Sequence, residues 1–276
     1  MQATWISLKS LFSTTEGFYG GGEHAPSHPL FALPTHGANV YPAEEQVPGM
    51  KAAILAYTEE VTELGKLLCD AINVALGLPT GWMRENILCG EGPVQLFRSF
   101  HYVGKQASEG EYGIGEHTDF GLLTILSPHG PGLQVLSPTN EWIDVPLIED
   151  SFVVNVGDIL DRMTDGLYCS RPHRVLPPPA GTDRLSIPFF FDPSWTASIR
   201  PFPLPESKLK KAEEHRRDSE ERWAKTTFTG LDGIWGQYLA VKVCFSIVAE
   251  LFCEFADWNK ILGEEGVPGD RYLGIA

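Results

Sequence analysis

Residues 115–126 read GEHTDFGLLTIL, an apolar run that opens on a histidine and an aspartate two positions apart. Alternate residues of a strand share a face, so His117 and Asp119 are expected to project together while Thr118 points away. An imidazole and a carboxylate on one face can hold one metal ion. H-x-D triplets also arise by chance, so the rest of the chain has to decide what this one means.

The chain has 276 residues, 43% hydrophobic and 21% charged, a globular composition that suits one large domain or two small ones. The net charge is −15, with no Lys/Arg-rich stripe, which argues against nucleic acid as the partner. The opening MQATWISLKSLFSTTEGFYG lacks the basic start and apolar core of a secretory signal. The late apolar stretch LAVKVCFSIVAELFCEF carries Lys242 and Glu250 and is too short to span a bilayer, so no membrane partner is expected. Five scattered cysteines (Cys69, Cys89, Cys169, Cys244, Cys253) without a C-x-x-C fit the reduced thiols of a cytoplasmic protein.

From Val47 to Leu78 the spacing predicts a helix. Ile54, Tyr57, Val61, Leu64, Leu68 and Ile72 recur at three or four, with Glu59, Glu60, Glu63 and Lys66 on the other side. Pro48 suits the first turn, and Gly77 with Pro79 ends the helix. Beyond Pro93 the texture changes to short strands divided by Gly/Pro turns: VQLFRSFHYV, GLLTILS, GLQVLS, EWIDVP, SFVVNVG, HRVL and RLSIPFFF. Strands at this spacing predict an antiparallel sandwich or barrel. The charged ESKLKKAEEHRRDSEERWAK predicts a solvated helix, and a last helix is expected from about Gly236 to Trp258. The resulting division is a helical part over residues 1–92, a β core over 93–204, and helices packing on it over 205–276.

The β-rich part supplies a third metal-ligand candidate, His173 of SRPHRVL, at the head of a separate short strand. Two imidazoles and one carboxylate make the facial triad that holds Fe(II) and leaves positions open, whereas structural zinc more often recruits thiolates. Arg184 and Ser186 of DRLSIPFFFDP follow, two apart on one strand face, and a guanidinium fork beside a hydroxyl grips a carboxylate well. The same R-x-S spacing at Arg217 and Ser219 in the charged helix carries no such context.

HTDFGLLTIL, GLQVL, NVGDIL, HRV and RLSIPFFFDP, in this order and spacing, resemble the isopenicillin N synthase-like group of Fe(II)/2-oxoglutarate oxygenases. LFRSFHY and THGANVYPAEEQVPG resemble it too, and the likeness runs from about Gly17 to Val243. The resemblance implies a mainly β fold with flanking helices, a distorted double-stranded β-helix (jelly roll) with iron at one mouth. It implies His117, Asp119 and His173 as iron ligands, and Arg184 and Ser186 on the distal carboxylate of 2-oxoglutarate. Tyr102 would add a hydroxyl there, although Val103 stands where members usually have proline. The implied reaction is dioxygenase chemistry. It consumes O2 and 2-oxoglutarate, with ascorbate as an optional reductant, releases succinate and CO2, and oxidises a small organic substrate, hydroxylation being the default. Members usually open with a strand, a helix and a GFF…NHG segment, for which this chain shows no counterpart, so a shortened N-terminal layer is expected. Two alternatives stay open: an oxidase of the same fold that uses no 2-oxoglutarate, and a catalytically silent binding scaffold.

Among neighbours, Arg98 and Phe100 share the face of Tyr102, and Pro188 and Phe190 share that of Ser186. These four either line a substrate pocket or pack the core. His101 is expected to face the other way and pack, His129 to sit in a turn, and Asn155 and Asp158 to tie backbone at a turn. His24, His28 and His36 fall in a Gly/Pro-rich loop of the kind that can border an active site.

Overall fold

The computed structural model describes residues 15–28, 30–31, 36–104, 112–214, 216–225 and 231–240. Two antiparallel sheets form the body. The larger has strand order β1 (Thr15–Gly21), β2 (Pro93–Val103), β9 (Asp183–Ser194), β4 (Leu123–His129), β7 (Val153–Val156). The smaller runs β3 (Ile114–His117), β8 (His173–Val175), β5 (Leu133–Leu136), β6 (Trp142–Asp144). All seven strands expected after residue 93 form, and two further ones join them. β3 is only four residues long, and its Ile-Gly-Glu-His lacks the apolar alternation by which a strand is recognised. β1, TEGFYGG, is dominated by glycine and other weak strand formers, yet it pairs with β2 from Thr15↔Tyr102 to Gly21↔Leu96. The stretch before residue 93 therefore supplies a strand as well as helix.

β9 divides the molecule. Its alternate residues Arg184, Ser186, Pro188 and Phe190 face the space between the sheets, while Phe189 and Phe191 turn to the opposite side and join the main core. That outer face is covered by α1 (Met50–Leu76), which starts after Gly49 and ends on left-handed Gly77 at φ 73°. Its most buried line is Val61, Thr62, Gly65, Cys69, Asn73 and Leu76. Ile54, Tyr57, Leu64, Leu68 and Ile72, expected at the centre of the stripe, lie at its half-buried margins. The contact is rotated because Gly65 lets the helix settle onto Phe191: a methyl there would fall 2.5 Å from the Phe191 ring.

α2 (Trp82–Asn86) follows and is tied back by Asn73, which accepts the Met83 N–H and donates to the Pro79 carbonyl. The charged segment folds as α4 (Glu206–Glu214) and α5 (Arg216–Trp223). It is less solvated than expected. Arg222 donates to Asp161 and Trp223 Nε1 donates to the same carboxylate at 2.9 Å, docking α5 on α3 (Asp158–Met163). The last helix is described only over 235–240, and the rest of its expected span lies outside the described residues. Cys69, Cys89 and Cys169 are free thiols, and burial pushes that of Cys69 up to about 12, which leaves it inert at neutral pH. No described helix is long and apolar enough to cross a membrane.

The α1 contact makes a direct prediction. Gly65→Ala gains helix propensity but drives a methyl into Phe191, and overpacking of this kind costs about 1–3 kcal/mol. Thermal unfolding is expected to fall by several degrees. An unchanged or raised Tm would show that helix and sheet are not in contact at this point.

Candidate active site

Two adjacent strands of the smaller sheet and the loop after one of them bring three candidate metal ligands together. His117 ends β3, and its cross-strand partner is His173, the first residue of β8. Asp119 lies two residues past the strand end, in the loop before β4, so the pair does not share a continuous strand face as the spacing suggested. The loop is folded back instead: the Asp119 carbonyl accepts the Asp158 N–H at 2.8 Å, and the Thr118 hydroxyl donates to the Asp158 carboxylate at 3.0 Å. Gly121 lets this turn close, since a Cβ there would collide with Asp192 Oδ1.

Ligand atoms of His117, Asp119 and His173 lie within 4.8 Å of one another, and His173 Nε2 is 3.7 Å from Asp119 Oδ1. His117 Nδ1 is 2.8 Å from the Gly115 carbonyl and His173 Nδ1 is 3.1 Å from the Arg171 carbonyl. Such contacts favour the proton on Nδ1 and leave Nε2 free to serve as a metal-ligand nitrogen. Asp119 is held from behind by Asn155 of β7, whose Nδ2 donates to Oδ2 at 3.2 Å. Asn155 and Asp158, expected to tie backbone at a turn, are therefore side-chain supports of the loop that carries Asp119. The signal for this was present in NVGD, but nothing in the spacing says which strand faces which. Two nitrogens and a carboxylate, each oriented from behind, suit Fe(II) with open positions.

The three ligands open into a cavity of about 340 Å3 between the sheets. Tyr102, Arg184 and Ser186 line it, and all are buried. Register explains their meeting: Tyr102 pairs with Arg184 across β2 and β9, and Phe100 pairs with Ser186. The Arg184 guanidinium lies 5.0 Å from the Tyr102 ring centroid, and its Nε donates to the Gly130 carbonyl at 3.3 Å. Its Nη1 and Nη2 are buried without a hydrogen-bond partner among the described residues. Burial pulls the Arg184 guanidinium below its ordinary value and pushes the Tyr102 phenol up to about 12, so at neutral pH the phenol is a donor.

Arg98, Phe100, Pro188 and Phe190 line the same cavity, and Phe100 also packs in the smaller core cluster with Tyr102, Leu126, Leu133 and Val175. His101 does face away, but it pairs on the surface with Asp183 at 3.0 Å rather than packing. His129 ends β4 near Ser127 Oγ, outside the cavity. His24 and His36 border a different recess beside Trp195, and burial pushes His36 down to about 3.

Comparison with known proteins agrees with this geometry. The profile of the 2OG-Fe(II) oxygenase superfamily matches residues 93–193. A probable iron/ascorbate oxidoreductase of Dictyostelium discoideum is 36% identical over 250 residues, covering 83% of this chain and 67% of that protein. The 1-aminocyclopropane-1-carboxylate oxidase of Dictyostelium mucoroides is 34% identical over 244 residues, covering 75% and 64%. The chain thus spans about two thirds of the length of these relatives. Among solved structures, a full-length Neurospora crassa protein in complex with alpha-KG and 5-formyluracil superposes with a TM-score of 0.66 at 27% identity, covering 85% of this chain and 70% of that one.

The support behind Asp119 is testable by itself. Asn155→Ala removes the only described hydrogen bond to its Oδ2, and loss of such a partner typically costs about 10–100-fold in metal affinity. Fe(II) titration under anaerobic conditions is expected to show that weakening with an unchanged far-UV spectrum. Parent-like affinity would mean that Asp119 is oriented without Asn155. The sheet order, the cavity and these comparisons agree, and the chain belongs to the 2OG-Fe(II) oxygenase superfamily, with its double-stranded β-helix fold.

Proposed function

We propose that this protein is a non-haem Fe(II)- and 2-oxoglutarate-dependent dioxygenase that oxidises a small organic molecule. One observation carries the reading. The three-ligand cluster and the unpaired Nη1 and Nη2 of Arg184 open into the same cavity, so a metal site and a buried anion site share one space. His117, Asp119 and His173 would hold iron, and Arg184, Ser186 and Tyr102 would receive the distal carboxylate of 2-oxoglutarate.

Bound iron and 2-oxoglutarate would supply the oxidising chemistry, coupling decarboxylation to succinate and CO2 with insertion of oxygen into a C–H bond. What the chain contributes is placement. Arg184 neutralises a carboxylate at one end of the cavity and the Tyr102 hydroxyl helps to orient it, so the co-substrate extends toward His117 and His173. Phe100, Pro188 and Phe190 give the remaining wall an apolar surface that excludes water and fits a compact organic substrate. The name of the Dictyostelium discoideum relative supports ascorbate as a reductant. Free thiols at the described cysteines and the absence of a membrane-spanning helix among the described residues are compatible with a cytoplasmic enzyme.

A second reading, an oxidase that uses no 2-oxoglutarate, draws on the 1-aminocyclopropane-1-carboxylate oxidases among the relatives. In that case Arg184 would grip a substrate carboxylate instead. Succinate formation separates the two: the dioxygenase reading requires it, the oxidase reading excludes it. Arg184→Gln leaves the distal carboxylate without its counter-charge, a loss of about 3–5 kcal/mol, and each 1.4 kcal/mol is a factor of ten. The KM for 2-oxoglutarate is expected to rise a hundredfold or more, with bound iron near parent level and partial rescue by Arg184→Lys. Turnover by the parent without 2-oxoglutarate would overturn the proposal in favour of the oxidase.

A further inference from the structure

Arg184 is not the only arginine in the cavity. Arg98, in the middle of β2, pairs with Tyr19 of β1 and lines the same space. Its guanidinium lies 4.4 Å from the Tyr19 ring centroid and 4.9 Å from that of Phe190, so aromatic groups on β1 and β9 hold it in place. Stacking uses the π face of a guanidinium and leaves its in-plane N–H groups free to donate. Arg98 Nε is buried without a hydrogen-bond partner, and no ion pair to Arg98 exists within 4.0 Å among the described residues.

Among the described residues, the charges around the cavity leave this cation without a full counter-charge. Asp119 is the one carboxylate among the described lining residues, against the two arginines. Asp192, the next carboxylate that acts on Arg98, is fully enclosed, is pushed up to about 7 by that burial, and accepts the Leu122 N–H. When iron and 2-oxoglutarate are both in place, their opposite double charges cancel, and the single charge of Asp119 offsets only one of the two arginines. One positive charge then remains among the described residues, and it falls to Arg98 because Arg184 faces the carboxylate of 2-oxoglutarate. A buried guanidinium without a counter-ion is costly, and the ligand that completes the site is the remaining source of one.

We propose that Arg98 selects a substrate bearing a single carboxylate, held by the guanidinium that Tyr19 and Phe190 clamp, with the carbon to be oxidised turned toward His117 and His173. This inference rests on the dioxygenase reading of the same cavity and adds the chemical class of the substrate. It separates two cationic subsites on neighbouring strands: Arg184 on β9 for the co-substrate and Arg98 on β2 for the substrate. Arg98 is a binding residue in this account and takes no proton.

The test is calorimetric and needs no turnover. The full chain is loaded with Mn(II) as an oxygen-stable stand-in for iron and titrated first with 2-oxoglutarate. It is then titrated with matched pairs, phenylacetate against phenylacetamide and hexanoate against hexanamide. Failure of 2-oxoglutarate to bind would defeat the dioxygenase reading before the pairs are reached. With 2-oxoglutarate bound, the carboxylate of at least one pair is expected to bind about tenfold tighter than its amide, the scale of a charge-assisted contact. Arg98→Gln is expected to shrink that preference to about twofold or less, while 2-oxoglutarate affinity changes little. Arg98→Lys keeps the charge, loses the fork, and retains part of the preference. Should Arg98→Gln not fold, the parent's preference and its reduction in Arg98→Lys decide. Amides binding as well as carboxylates, no binding by either pair, or a preference that survives Arg98→Gln would each overturn the inference.

Discussion

The pairing of β2 with β9 is the constraint on which the rest of the structure depends. Because side chains alternate along a strand, one register sets two surfaces at once. With Tyr102 opposite Arg184 and Phe100 opposite Ser186, the inner face presents a phenol, a guanidinium and a hydroxyl at one end of the cavity. The same register turns Phe97, Phe189 and Phe191 outward into the core under α1. A slip of one residue would bury the polar set against the helix and open the aromatic set to the cavity. Hydrophobic burial on the outer face thus fixes the geometry of the polar face, and the stability of the site is borrowed from packing that never touches a ligand.

The candidate metal ligands are held by a different device. His117 and His173 are cross-strand neighbours in the smaller sheet, but Asp119 stands on a loop, and loops are positioned only by what they bond to. Here that is Asp158 at the start of α3 and Asn155 on β7, in the larger sheet. The ligand cluster therefore depends on both sheets keeping their relative position. At Gly121 the same loop passes close to Asp192 of β9, where a Cβ would collide with the carboxylate.

Much of this is legible in the sequence because it depends on local spacing. The seven strands after residue 93 and the long helix follow from period and turn residues, while the candidate ligand set and the R-x-S pair are picked out of several polar residues by the family resemblance of their motifs. What is not legible depends on contacts between distant segments. β1 is rich in glycine and forms a strand because β2 offers it an edge. The buried line of α1 is set by the fit of Gly65 on Phe191, which moves the contact away from the most apolar stripe. The charged segment carries Arg222 and Trp223, whose shared partner Asp161 lies some sixty residues earlier and cannot be inferred from charge pattern. Asn155 reads as a turn residue because its partner, Asp119, lies on another strand–loop unit.

Unpaired buried guanidinium groups are expensive to maintain, and a fold keeps them only where a ligand completes them. The central claim is that the His117–Asp119–His173 cluster and Arg184 form one composite site for metal and 2-oxoglutarate. Anaerobic calorimetry with Fe(II) and 2-oxoglutarate tests it most directly. The account predicts one equivalent of each bound, with 2-oxoglutarate affinity falling sharply when iron is withheld or when Asp119 is replaced by alanine. Binding of 2-oxoglutarate that is indifferent to iron and to Asp119 would contradict it.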